Sequence, residues 1–371
     1  MVRQHSALRD FLYLTLDNAD LRDQAERNPA EFLGRGPRLV IDEIQRVPSL
    51  LLTIKESIDR HRMVGRFVLT GSANILSRRI AGESLAGRAS YVTLWPLTRR
   101  ERLGLGRTGR WSDLVESPVQ QWVDLLQAAA APPDDWRRLL LSCGYPGPAA
   151  AGMSGDAQAI WLDGYVDTYV DRDVRELAQI ARPLDLRRLM RVVCASIGQI
   201  ENQASWGTLV GMKRATVSRY LDLLEVSYQL IRVPAYAVSR TKRLARSPKV
   251  FWSDTAMALR LAGLAEPTGF HLENLVLTDL VAWSASQPQH PGILHWRTVS
   301  GSEVDFVIEP PSGVPLPVEV KSSARPEWTD VRGLQLFLEE YSAPGGLVLH
   351  GGSDVYRLSD RIVAAPWWSV V

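Results

Sequence analysis

Apolar residues in the first hundred positions fall into short runs separated by one longer stripe. Leu39–Ile41 and Arg66–Leu69 are runs of strand length, each ending in acidic or small residues. Between them Leu51, Leu52, Ile54 and Ile58 recur at helical spacing, and Ser49 after Pro48 is a suitable N-cap, which predicts a helix over 48–61. Strand, helix, strand is the crossover unit of a parallel sheet buried on both faces. Phe11–Leu16 predicts a preceding strand and residues 19–33 a helix, with Arg35-Gly36-Pro37 turning the chain onward. Ligands of such sheets sit beyond the C-terminal ends of the strands. Asp42 and Glu43 end one strand, and Gly71, Ser72 and Asn74 end the other. Chemistry is expected there.

Further along, the pattern predicts a helix over 75–87, a strand at Tyr91–Leu94 and an exit from the first domain at Trp95-Pro96-Leu97. Residues 99–130 are Arg-rich and then amphipathic, and Pro132-Pro133 and Cys143–Pro148 are turn clusters. A helix over 156–180 gathers Ile160, Trp161, Tyr165, Val166, Tyr169 and Val170 on one face, and another spans 183–200. A short helix, a turn at Gly211, a second helix over 215–226 and a strand at Leu230–Val233 follow. From Gly269 the chain becomes strand-rich α/β. A helix over 270–282 puts Glu273 in line with Val276, Leu277 and Leu280. A carboxylate on an apolar face is costly unless it meets a metal or a partner. Strands follow at 293–296, at 303–308 with Asp305 between Val304 and Phe306, and at 317–322 with Glu319 and Lys321 on one side. A helix over 325–341, a strand at 347–349 and a packed or contact-forming Pro366-Trp367-Trp368 tail complete the reading. The expected domains are 1–97, 98–265 and 266–371.

Composition narrows the classes. The 371 residues are 46% hydrophobic and 23% charged, ordinary values for folded domains, and a net charge of +2 does not by itself argue for nucleic acid. Cys143 and Cys194 have no metal-type spacing and read as buried free thiols of a reducing cytoplasm. No run of eighteen apolar residues and no signal-peptide core occurs, so a cytoplasmic protein without a membrane span is expected. The six histidines show no ligand spacing, and nothing supports a serine, cysteine or zinc hydrolase.

An apolar strand ending in Asp42-Glu43, followed by Leu69-Thr70-Gly71-Ser72-Ala73-Asn74, resembles the Walker B and sensor strands of AAA+ ATPases. The resemblance implies a P-loop-type parallel sheet binding ATP and Mg²⁺, with Asp42 holding Mg²⁺ through water and Glu43 polarising the attacking water. Ser72 or Asn74 would sense the γ-phosphate, and Arg88 in Leu85-Ala86-Gly87-Arg88 would act as an arginine finger across a self-associated interface. The glycine-rich loop with its Gly-Lys dipeptide is absent; the chain has five lysines, Lys55, Lys213, Lys242, Lys249 and Lys321. The family places that loop about thirty residues before Phe11, so the expectation is a truncated or degenerate ATPase without hydrolysis.

The segment around Gly211 resembles a winged helix-turn-helix, over about 200–250. The resemblance implies DNA contact through Lys213, Arg214, Thr216, Ser218 and Arg219, with Arg240, Lys242, Arg243, Arg246 and Lys249 as a phosphate-gripping basic patch. Packing or lid duty is the alternative. Asp305, fourteen positions before Glu319-Val320-Lys321, resembles the PD-(D/E)xK restriction-endonuclease-like core. There Asp305, Glu319 and Glu273 would bind Mg²⁺ and Lys321 would orient or activate water. A solvent-facing strand with Glu-Lys alternation is the plain reading. The module order resembles AAA-type ATPases with a winged-helix middle and a nuclease-like C-terminal domain. Three classes stay open: an ATP-binding switch with a DNA-associated role, a Mg²⁺-dependent DNA nuclease, and a non-enzymatic DNA- or partner-binding protein.

Overall fold

The computed structural model describes residues 5–61, 63–71, 85, 87–106, 109–128, 134–169, 182–239, 243 and 246–371. The chain divides into two compact units, one built on Met1–Tyr91 and the other on Val92–Arg172 with Ile180–Val371.

The first unit contains β1 (Leu12–Thr15), α1 (Ala19–Arg27), α2 (Pro29–Leu33), β2 (Leu39–Asp42), α3 (Leu50–His61) and β3 (Phe67–Leu69). Its three strands are parallel, with β2 central: Leu14 pairs with Ile41, and Ile41 with Leu69. Leu39, Val40 and Ile41 are consecutively buried, as a strand covered on both faces requires. Their core includes Leu14, Leu16, Phe32, Leu50 and Ile54. The helix expected over 19–33 is two helices, because Pro29 cannot donate into the ladder and instead starts α2 after Asn28 leaves helical geometry. Tyr91–Leu94, expected as a strand, pairs with no strand among the described residues. Its Tyr91, Val92 and Leu94 side chains are exposed, so apolar spelling alone did not secure a neighbour. The helix expected over 75–87 lies, apart from Leu85 and Gly87, outside the described residues.

In the second unit the Arg-rich stretch resolves into short helices α4 (Arg99–Arg102), α5 (Trp111–Glu116) and α6 (Trp122–Gln127), followed by α7 (Trp136–Leu140) and α8 (Pro146–Ala150). Next come α9 (Gly155–Thr168), α10 (Pro183–Cys194), α11 (Gln203–Val210), α12 (Arg214–Val226), β4 (Leu230–Val233), β5 (Lys249–Trp252) and α13 (Thr255–Ala262). Then follow α14 (Gly269–Ser286), β6 (Gly292–Arg297), β7 (Glu303–Glu309), β8 (Leu316–Lys321), α15 (Arg332–Glu340), β9 (Gly346–His350), β10 (Tyr356–Ser359) and β11 (Ile362–Pro366).

Strands β4 and β5 form an antiparallel ribbon, and the remaining six form one sheet in the order β10-β11-β9-β8-β7-β6. Within it β8, β9 and β11 run parallel, and the other pairs are antiparallel. Leu272, Val276 and Leu280 of α14 share a core with Phe306, Val318 and Val320. Leu334 and Phe337 of α15 share another with Trp296, Val307 and Val348. The last two strands were not anticipated; β11 is spelled with alanines and β10 is half-exposed, which blurs their alternation. Trp367 is fully buried, so the aromatic tail is packed. Cys143 and Cys194 are free and buried. Among the described residues no helix is long and apolar enough to cross a membrane.

Candidate functional site

Helix α14 and strands β7 and β8 deliver a cluster of charged side chains into the interior of the second unit. Glu273, Asp305 and Glu319 are all buried. Asp305 turns inward between two apolar neighbours, and its Oδ2 accepts the Val320 N–H at 2.9 Å, fixing β7 against β8 at this point. Lys321 lies two residues beyond Glu319 on the same face and donates to its Oε1 at 2.8 Å. Three elements thus bring Glu273, Asp305, Glu319 and Lys321 into one buried region.

A further residue completes it. Lys249, at the start of β5, is only 2% exposed and donates to Asp305 Oδ1 at 2.9 Å and to Glu273 Oε2 at 3.4 Å. The sequence reading put Lys249 in a phosphate-gripping patch; it is instead the internal partner that Glu273 needed. The clue was a lysine directly before the buried run Val250-Phe251-Trp252. Asn274, also unremarked in sequence, holds β5 in place. Its Oδ1 accepts the Trp252 N–H and its Nδ2 donates to the Trp252 carbonyl, both at 2.8 Å.

Burial, reinforced by Asp305, pushes Glu273 well above the usual carboxylate range despite the opposing pull of Lys249. Burial and then Asp305 push Glu319 up to about 8. Burial works against the charge on Lys249, but Asp305 and Glu273 outweigh it and hold the ammonium above its ordinary value. Lys321 is raised likewise, Glu319 overcoming burial. Glu319 Oε2 is buried with no hydrogen-bond partner.

Three buried carboxylates, one with an orphaned oxygen, are a donor set that suits a hard divalent cation such as Mg²⁺. As the side chains stand, no group of three His, Cys, Asp or Glu among the described residues is arranged to hold a metal ion, and the Lys249 ammonium is bonded to both Glu273 and Asp305.

The candidate nucleic-acid residues lie on α12 and its approach. Gly211 joins α11 to α12 at φ 70°, a left-handed geometry that suits glycine, and Gly207 lets the helices close, since a Cβ there would stand 2.7 Å from the Met212 carbonyl. Val217, Tyr220, Leu221 and Leu224 bury one face of α12. Lys213, Arg214 and Arg219 are exposed, and Thr216 and Ser218 half-buried. Arg243 corrects the expectation: it donates to the Ala237 carbonyl and, through both terminal nitrogens, to Glu309 at 2.7 Å, so its guanidinium is committed internally. Arg240 and Lys242 lie outside the described residues.

In the first unit Asp42 closes β2, and its two carboxylate oxygens accept the hydroxyls of Tyr13 on β1 and Thr70 beyond β3. Glu43 follows in a left-handed conformation, φ 58°, and accepts from Gln45. A non-glycine residue in that region carries local strain, a recurrent feature of functional turns. Arg88 donates to Asp59 at 2.6 Å and 3.1 Å within the same unit. Ser72 and Asn74 lie outside the described residues. Asp42 and Glu43 thus stand at the C-terminal end of the central strand, and no Gly-Lys dipeptide occurs in the 371 residues.

By sequence similarity the chain has an AAA-type, ATPase-like beginning, and the parallel α/β module is consistent with it. Residues 1–103 match an AAA domain, residues 133–268 a domain of unknown function (DUF8612), and residues 268–370 a second domain of unknown function (DUF4143). Uncharacterised proteins of Mycobacterium bovis and Mycobacterium tuberculosis are each 29% identical over 336 residues, covering 88% of this chain and 68% of theirs. An uncharacterised protein of Haemophilus influenzae is 23% identical over 222 residues, covering 58% of this chain and 50% of its own length. No solved structure matches.

Proposed function

We propose that this is a DNA-associated protein built on an AAA-type module, with its chemistry in the second unit: Mg²⁺-dependent hydrolysis of nucleic-acid phosphodiesters. The convergence of Glu273, Asp305, Glu319 and Lys321 from α14, β7 and β8 carries this reading. Asp305, Glu319 and Glu273 would hold the ion, which when bound would supply Lewis-acid stabilisation of the phosphodiester. Lys321, half-buried beside Glu319, donates to a phosphate oxygen or to the attacking water. The test is incubation of the full chain with end-labelled single- and double-stranded DNA. Cleavage in Mg²⁺ and none in EDTA is expected; intact DNA under both conditions would overturn the reading.

The exposed cations of α12 support DNA contact in the manner of a winged helix-turn-helix. Replacing Arg214 and Arg219 together by Ala should weaken DNA binding and lower the salt slope by about 2, one for each lost phosphate contact. An unaltered affinity and slope would sink the contact.

A second reading, nucleotide binding by the first unit, is favoured by Asp42 at the end of the central strand. Because the phosphate-cradling dipeptide is missing, this chain on its own is proposed not to hydrolyse ATP. ATP turnover by the purified chain that vanished in Asp42→Asn would show otherwise.

A further inference from the structure

We propose that Lys249 is a displaceable internal cation, delivered by the β4–β5 ribbon, that occupies the carboxylate cluster until a divalent ion takes its place. The inference rests on the carboxylate reading above. Lys249 begins a strand whose neighbours belong to the helical region: Ile200 bridges to it, and the carbonyl of Pro248 accepts the Glu201 N–H. Its side chain crosses from there into the sheet region, reaching Asp305 and Glu273. The groups facing it are Glu273 from α14, Glu303 and Asp305 from β7, Glu319 and Lys321 from β8, and His295 from β6.

Two observations favour displacement over a permanent staple. The two carboxylates that Lys249 engages are donors the ion would need, so ammonium and ion compete for the same oxygens. The cluster is incompletely hydrogen-bonded, with Glu319 Oε2 unpartnered and the Glu273 contact long at 3.4 Å.

The experiment is Mn²⁺ titration by calorimetry of the full chain, with Lys249→Gln and Lys249→Met beside it. Each variant that melts cooperatively is expected to bind Mn²⁺ at least about tenfold more tightly than the parent, equivalent to about 1.4 kcal/mol. Adding Asp305→Asn should abolish that gain. Affinity that is unchanged, weaker or absent in the variants would make Lys249 a structural staple and overturn the proposal. Amine acylation read by mass spectrometry tests the unmutated protein, in which only five lysines compete for label. Lys249 should be protected in EDTA and labelled several-fold faster in Mn²⁺; equal protection in both would overturn the proposal. Tighter Mn²⁺ binding without DNA cleavage would leave this inference standing and remove the nuclease reading. Metal-dependent cleavage with unchanged affinity in the variants would do the reverse.

Discussion

Glu319→Gln should lower any DNA cleavage by about 10²-fold or more, because an amide is a poorer donor to a hard cation than a carboxylate, while making the folded protein more stable at alkaline pH. Both follow from the loss of one ionisable buried carboxyl. Glu319 is buried beside Asp305, and its carboxyl holds its proton up to about 8 in the folded state. In the unfolded chain it releases that proton near its ordinary value of 4.5. Between these values the folded state binds more protons than the unfolded state, so rising pH removes stability across the window and the loss levels off above about 8. The full difference is on the order of a few kcal/mol. Glutamine has the same shape, can accept from Lys321 through its amide oxygen and carries no charge to desolvate. Thermal melts of parent and variant should therefore nearly coincide near pH 4.5 and diverge toward pH 9, with the variant higher. A gap that is constant with pH, or that widens toward acid, would remove this account of Glu319.

Asn274→Ala should cost the second unit about 3–5 kcal/mol, enough to consume much of a typical domain's stability. Asn274 is fully buried, and its amide takes both backbone groups of Trp252. Alanine leaves a buried N–H and a buried carbonyl unpaired, each costing about 1–3 kcal/mol, and adds a small cavity. The loss should appear as a lower urea midpoint followed by tryptophan fluorescence. The clamp also joins the helix carrying Glu273 to the strand carrying Lys249, so partial rescue by Asn274→Gln is not expected: the longer side chain misplaces both bonds. A change below about 1 kcal/mol would show that the Trp252 backbone finds other partners.

What could be read from sequence depended on how local the determining contacts are. Strand β2, helix α3 and the Asp42-Glu43 turn were legible because a buried run, a helical stripe and an acidic end all lie within one short segment. Asp305 and Glu319-Val320-Lys321 were legible for the same reason, two neighbouring strands carrying charge at odd places. Glu273 was flagged as a carboxylate in need of a partner, and the structure supplies Lys249 across 24 positions. That partner was misread because a Lys beside several Arg looks like a basic patch, and only tertiary packing turns it inward. Arg243 was misread in the same way, its partner Glu309 standing 66 positions away. Tyr91–Leu94 had strand spelling without a neighbouring strand among the described residues, and β10–β11 had neighbours without strand spelling. In both, pairing rather than propensity decided.

The division of labour between the two units is tested most directly by one side-by-side measurement. Initial rates of DNA cleavage in Mg²⁺, without added nucleotide, would be compared for the parent chain, Asp42→Asn and Asp305→Asn. Cleavage kept within about twofold by Asp42→Asn and lost by at least about 10²-fold in Asp305→Asn is the predicted result. Cleavage that survives Asp305→Asn, or that disappears in Asp42→Asn alone, would contradict it.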